Sequence, residues 1–248
     1  MLISLKHKLA FLAVPKTGTT AIETVLRKHA DIVFRYDPKA KHMSGPKFEA
    51  MMRPYLDSIG APGVQTLAVM RDPVDQLLSW YFYRRRVDGS NDQDIAKSTS
   101  DVTLEAFLEG WLSDEPPPFA RINPQSFFLC GRNRLEESSG AAVTPVVNLI
   151  FAYEQMDAVM EFIARRLGTT IEVERRNTSK REAVEIPAGL RARLETRLAN
   201  DIVLHKRVLA GEFYPDPADS ADMAKARARK QRKRMAKKAA AQGTGGAA

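Results

Sequence analysis

Apolar and polar positions alternate along this chain in short blocks. Four compact apolar runs fall near residues 8–14, 31–35, 64–70 and 146–152, each bounded by proline, glycine or polar residues. Runs of that length read as buried strands. Longer segments near 19–29, 46–58, 73–86, 103–112, 155–167 and 187–209 carry apolar residues at helical spacing. Strands alternating with helices predict an α/β fold, with a parallel sheet and crossover helices. Residues 89–101 are polar and read as a loop over the ligand-binding edge of that sheet. Pro116-Pro-Pro118 reads as a stiff connection rather than a domain boundary. There is no internal repeat.

Two strand-to-helix junctions carry chemistry. The first is Phe11-Leu-Ala-Val-Pro-Lys-Thr-Gly-Thr-Thr20, followed by the helical pattern Ala-Ile-Glu-Thr-Val-Leu-Arg. A helix starts with unpaired N–H groups and a positive dipole end, which together attract an anion. Lys16 adds a charge, Gly18 lets the backbone approach closely, and Thr17, Thr19 and Thr20 add hydroxyls. The pattern is neither G-x-x-x-x-G-K-[ST] nor G-x-G-x-x-G, so the common nucleotide loops are excluded. The plainer alternative is an ordinary turn with Thr19 as the N-cap.

The second junction is Arg71-Asp-Pro-Val-Asp-Gln-Leu-Leu-Ser79-Trp-Tyr81, after the strand Val64-Gln-Thr-Leu-Ala-Val-Met70. Asp72 suits an N-cap and Pro73 the first helical turn, while Val74, Leu77, Leu78 and Tyr81 mark an apolar face. Arg71 thus falls at a strand's carboxyl end, where open α/β sheets bind ligands, and its fork can grip a phosphate. Ser79 reaches the same anion only if that anion lies along the helix. The alternative pairs Arg71 with Asp75 and gives Ser79 no role.

Together these segments resemble the sulfotransferases that use 3′-phosphoadenosine 5′-phosphosulfate. Pro15-Lys-Thr-Gly-Thr-Thr20 looks like the family's loop for the 5′-phosphosulfate, and the segment from Arg71 to Ser79 like its site for the 3′-phosphate. Asn123-Pro-Gln-Ser-Phe-Phe-Leu-Cys-Gly131, Asn148-Leu-Ile-Phe-Ala-Tyr-Glu154 and Arg176-Asn-Thr-Ser-Lys-Arg181 resemble later landmarks of the Golgi-type, carbohydrate-directed branch. The likeness covers roughly residues 8–212; Ala21 departs from it, where many members carry serine. It implies a P-loop-like three-layer sandwich, with a central parallel sheet flanked by helices. It also implies sulfuryl transfer without a metal, with donor contacts at Lys16, Thr17, Gly18, Thr19, Thr20, Arg71, Ser79 and a late basic segment supplying Lys180 or Arg181. An exposed basic loop is the plain alternative for the last two.

Sulfuryl transfer needs a cation where the leaving phosphate develops charge, and a base for the acceptor hydroxyl. Lys16 suits the first role. Of the four histidines only His42, in Asp37-Pro-Lys-Ala-Lys-His-Met-Ser-Gly-Pro46, follows a strand on the ligand-binding edge. Its place resembles that of the histidine in uronyl and related hexosyl sulfotransferases. Glu23, one turn into the helix after the cradle, is the rival base, and a surface histidine the plain alternative. Lys39, Lys41 and Lys47 would steer an anionic acceptor. Glu154 reads as a residue that orders neighbouring loops. The expected acceptor is a hydroxyl on a sugar or glycolipid.

Charge changes the picture only at the end of the chain. The net charge is +8, but residues 225–238 hold nine Lys and Arg, leaving 29 basic against 30 acidic residues elsewhere. The expectation is therefore a domain over residues 1–214 and a basic Ala/Lys/Arg-rich tail over 215–248, disordered or partly helical. Such a tail has the charge to touch anionic lipid, acidic polysaccharide or nucleic acid. No apolar stretch reaches the ~18 residues of a membrane span. Cys130 is the single cysteine and reads as a small buried residue. A cytoplasmic protein, peripheral to the membrane if the tail binds lipid, fits these features. Two other readings stay open: a non-catalytic nucleotide- or nucleic-acid-binding protein on a degenerate sulfotransferase scaffold, and a small-molecule kinase, which would need ATP and magnesium.

Overall fold

The computed structural model describes residues 1–86, 92–131, 144–171 and 184–213. All of them lie in one compact unit, Met1–Phe213. The tail at 215–248, Lys180, Arg181 and residues 89–91 of the polar segment lie outside the described residues.

Strands β1 (Leu2–Ser4) and β2 (Leu9–Phe11) form an antiparallel hairpin, with Leu2 opposite Phe11 and Ser4 opposite Leu9. The polar triplet Lys6-His7-Lys8 makes the turn, which closes through the Lys8 N–H on the Leu5 carbonyl at 3.2 Å. Strand β3 (Ile32–Val33) pairs antiparallel with β1. On the other side β2 runs parallel to β4 (Gln65–Met70), and β4 parallel to β5 (Leu149–Ala152). The order is β3-β1-β2-β4-β5.

The sequence pattern predicts a parallel sheet, and β2, β4 and β5 are parallel. The sheet as a whole is mixed. β1 falls outside the four apolar runs read as strands, and it opposes β2 because the polar triplet Lys6-His7-Lys8 folds the chain back.

The helices run α1 (Thr19–Leu26), α2 (Pro38–Lys41), α3 (Gly45–Lys47), α4 (Arg53–Ser58), α5 (Pro73–Arg84), α6 (Asp92–Lys97), α7 (Leu104–Leu112), α8 (Gln125–Cys130), α9 (Met156–Leu167), α10 (Ala188–Arg197) and α11 (Ala199–Leu209). The helix expected over 46–58 exists, but a π-helical stretch, Phe48–Met52, joins α3 to α4. The one expected over 187–209 breaks at Leu198, which leaves helical geometry at φ −95° and ψ 13° without glycine or proline. Part of the expected polar loop is α6, and Thr99 beyond it is buried, its hydroxyl donating to the Tyr81 carbonyl at 2.8 Å.

Side chains alternate across the sheet. One face presents Ile3, Ala10, Leu12, Ala68, Met70 and Ile150 to Phe48, Leu56, Leu129, Leu204 and Val208. The other presents Phe11, Leu67, Val69 and Phe151, all fully buried, and Phe151 packs on Phe162 of α9 at 5.4 Å. Helices therefore cover both faces, as a parallel core requires. A second core joins α5, α7 and α10 around Trp111, Phe107, Leu77 and Leu194. No helix among the described residues is long and apolar enough to cross a membrane.

A buried carboxylate ties the helical layer together. Asp201 of α11 accepts the Gln125 and Ser126 N–H groups at the start of α8, each at 2.7 Å. Replacing it would strand both donors in the interior, at about 1–3 kcal/mol each. Asp201→Ala is expected to lower the unfolding free energy by ~3 kcal/mol, which a urea titration of both proteins checks.

Candidate active site

β2 ends beside β4, and the chain turns sharply into α1. Lys16 takes the left-handed φ of 67°, rare for a residue with a side chain, and Gly18 follows at φ 72°. Gly18, not Thr19, is the N-cap. A Cβ on Gly18 would stand 2.7 Å from Tyr153 Cε2 and 3.0 Å from Met156 Cε, so glycine is required by both backbone and space. The buried Thr17 hydroxyl donates to the Val14 carbonyl at 2.9 Å and braces the turn. Thr19 is buried and Thr20 exposed. The result is a concave turn opening onto the N-terminus of α1, a geometry suited to an anion.

Arg71 lies directly against this turn. Its Nη1 donates to the Lys16 carbonyl at 3.3 Å, and its guanidinium stacks on Tyr153 at 4.4 Å. It also forms the ion pair with Asp75 that the sequence left open. The Arg71 backbone is clamped by Gln125, whose Oε1 accepts the Arg71 N–H at 2.8 Å while its Nε2 donates to the Arg71 carbonyl at 2.7 Å. Asp72 caps α5 by accepting the Asp75 N–H at 2.8 Å. Gln76 Nε2 donates to the Pro15 carbonyl at 3.0 Å, and the Lys16 ammonium sits 3.9 Å from the centre of the Tyr83 ring. The cradle thus runs along α5 from Gln76 to Tyr83, and the buried Ser79 shares that face by helical spacing.

His42 closes the C-terminal end of α2. Its Nδ1 lies 2.6 Å from the Ala13 carbonyl, three residues before Lys16. A carbonyl only accepts, so Nδ1 carries the proton and the Nε2 lone pair is left to accept another. Burial, outweighing the bond to Ala13, holds the imidazole below its ordinary pKa of 6.5. Glu23 is 93% buried, with Lys41 Nζ 3.6 Å and Arg27 Nη2 3.8 Å from its Oε2. Lys39 and Lys47 are exposed. Glu154 accepts the Asp72 N–H at 3.2 Å and faces His205 Nε2 at 3.2 Å, joining β5, α5 and α11. Burial opposes its ionisation, but bonds from His205 and the backbone hold its pKa low.

Arg71 and His42 therefore both contact the segment that leads into Thr17, Gly18, Thr19 and Thr20, through the Lys16 and Ala13 carbonyls, Ser79 is buried on α5, and Lys180 and Arg181 lie outside the described residues. Sequence reasoning missed Gln125, Tyr153, Trp80 and Tyr83. Gln125 and Tyr153 stand inside stretches whose pattern is visible, but nothing local says which backbone or cation each will meet. Cys130 is half-buried rather than buried.

The turn after β2, Arg71 after β4 and His42 after α2 thus come together at one edge of an α/β sheet. The family model described as "Sulfotransferase family" matches residues 1–209, and the chain belongs to that family. Sulfuryl transfer is its chemistry, with a nucleotide donor and a hydroxyl acceptor implied. No curated protein matches the chain.

The glycine is the sharpest test of the cradle. Gly18→Ala is expected to push Tyr153 off Arg71 and weaken anion binding at least tenfold, roughly the cost of a strained φ > 0. Calorimetric titration with adenosine 3′,5′-bisphosphate measures the change.

Proposed function

We propose that the chain transfers a sulfuryl group from 3′-phosphoadenosine 5′-phosphosulfate to a hydroxyl of a sugar or glycolipid, with His42 as the base. The reading rests on one observation: Arg71 touches the Lys16 carbonyl across 55 residues of sequence, joining both anion-holding segments at one edge. The donor brings a sulfuryl group on a good phosphate leaving group. Lys16 and the α1 N-terminus hold the 5′ end, and Arg71 with Ser79 holds the 3′-phosphate, joined by Lys180 or Arg181. His42 Nε2 takes the acceptor's proton as the oxygen bonds to sulfur. The sulfur–oxygen bond to the 5′-phosphate breaks, and Lys16 offsets the charge left on that phosphate. Glu23, engaged by Lys41 and Arg27, is the weaker candidate for the base. No metal enters this scheme. Residues 1–214 carry the activity, and the basic tail is an appendage to it.

A binding protein without turnover is the second reading. It is favoured by the ion pair in which Arg71 is already engaged with Asp75. Both readings share the donor site, which one substitution tests. Arg71→Ala is expected to lower affinity for adenosine 3′,5′-bisphosphate about 100-fold, the value of two charge-assisted hydrogen bonds, and to leave the weaker binding of adenosine 5′-monophosphate unchanged. Equal binding of both nucleotides by the wild type overturns the donor assignment.

Sulfuryl transfer to an acceptor panel, followed by release of adenosine 3′,5′-bisphosphate, tests the chemistry. His42→Ala is expected to lower kcat by about 10²–10⁴, the usual share of a general base, while Glu23→Gln has a smaller effect. Only neutral His42 accepts a proton, and burial lowers its pKa, so kcat/KM should hold at neutral pH and fall only below 6.5. Bound nucleotide without transfer to any acceptor favours the second reading.

A further inference from the structure

Two aromatic side chains of α5 have no part in the scheme above, yet they meet its central cation. The Lys16 ammonium lies 3.9 Å from the Tyr83 ring centre and 6.0 Å from that of Trp80. The two rings pack edge to face, 5.8 Å apart at 79°. Trp80 is held in turn by Arg84, whose guanidinium lies 5.2 Å from its ring. Arg84 is itself fixed: it is 92% buried, its Nη1 donates to the Pro118 carbonyl at 2.9 Å, and burial lowers its pKa to about 10. An anchored cation thus backs Trp80, Trp80 backs Tyr83, and the Tyr83 face meets Lys16. The strained backbone of Lys16 points the same way, because a residue held at positive φ needs its surroundings to over-determine it.

We propose that Trp80 and Tyr83 are positioning residues for Lys16, holding its ammonium beside the cradle where the donor's 5′-phosphate binds. A free lysine side chain samples many rotamers and must be ordered before it can stabilise developing charge. A ring face attracts a cation without itself carrying a countercharge, so it can hold the ammonium in place without neutralising it. This inference rests on the donor reading given above.

The test separates the two phosphates. Wild type, Tyr83→Phe and Tyr83→Leu are titrated with adenosine 3′,5′-bisphosphate and with adenosine 3′-monophosphate, and the ratio of affinities isolates the 5′-phosphate. Tyr83→Phe keeps the ring and should keep the ratio. Tyr83→Leu should lower the ratio about fivefold, the scale of one cation–π contact, with 3′-monophosphate affinity unchanged. The Lys16 ε-methylene protons should show an upfield ring-current shift in wild type and Tyr83→Phe, and lose it in Tyr83→Leu. An unchanged ratio in Tyr83→Leu, or equal loss for both nucleotides, overturns the proposal alone. A wild type that binds neither nucleotide overturns the donor reading and the proposal with it, whatever the ring-current shift shows.

Discussion

The parallel pairing of β2 with β4 is the constraint on which the site depends. Its register sets Leu9 against Gln65 and Phe11 against Leu67, and the Leu12 N–H extends it to the Leu67 carbonyl at 2.8 Å. Both strands therefore end on the same edge, and the chain leaves each within a few residues of the other. Lys16 and Arg71 meet there because a shared register leaves them nowhere else to go. A slip of one residue would turn every buried side chain of β4 to the wrong face. Because β4 is buried on both faces, that register is strongly specified.

Around that edge the fold spends buried polar groups on holding backbone, not on binding ligand. Gln125 grips both backbone groups of Arg71, and Asp201 in turn fixes Gln125. Gln76 holds the Pro15 carbonyl, and the Thr17 hydroxyl holds that of Val14. Such bonds contribute to stability mainly because leaving them unmade in the interior is costly. They also fix the backbone at Val14, Pro15 and Arg71, on both sides of the turn.

Electrostatics then divides the edge into two parts. On the α5 side lie cations in contact with rings: Lys16 on Tyr83, Arg71 on Tyr153 and Arg84 on Trp80. A ring face attracts a cation without itself carrying a countercharge, and Arg71 is in addition paired with Asp75. On the side of α2 the imidazole of His42 is kept neutral by burial and oriented by the Ala13 carbonyl. Lys16, Arg71 and His42 thus lie at the same edge of the sheet.

The sequence alone determined what depends on neighbours within one helical turn. The Asp72 cap bonds three residues ahead, Pro73 opens α5, and the apolar runs of β2, β4 and β5 are legible as strands. Gly18 was legible as a close-approach position, though not the Tyr153 ring that demands it. Tertiary structure alone decided the direction of β1, the break at Leu198, the π-helical stretch, the partner of Lys16 and the tautomer of His42. The bonds that build the site span 29 residues from Ala13 to His42, 54 from Arg71 to Gln125 and 76 from Gln125 to Asp201. Periodicity and capping carry information over three or four residues, so contacts at those separations exist only once the sheet has brought its strand ends together.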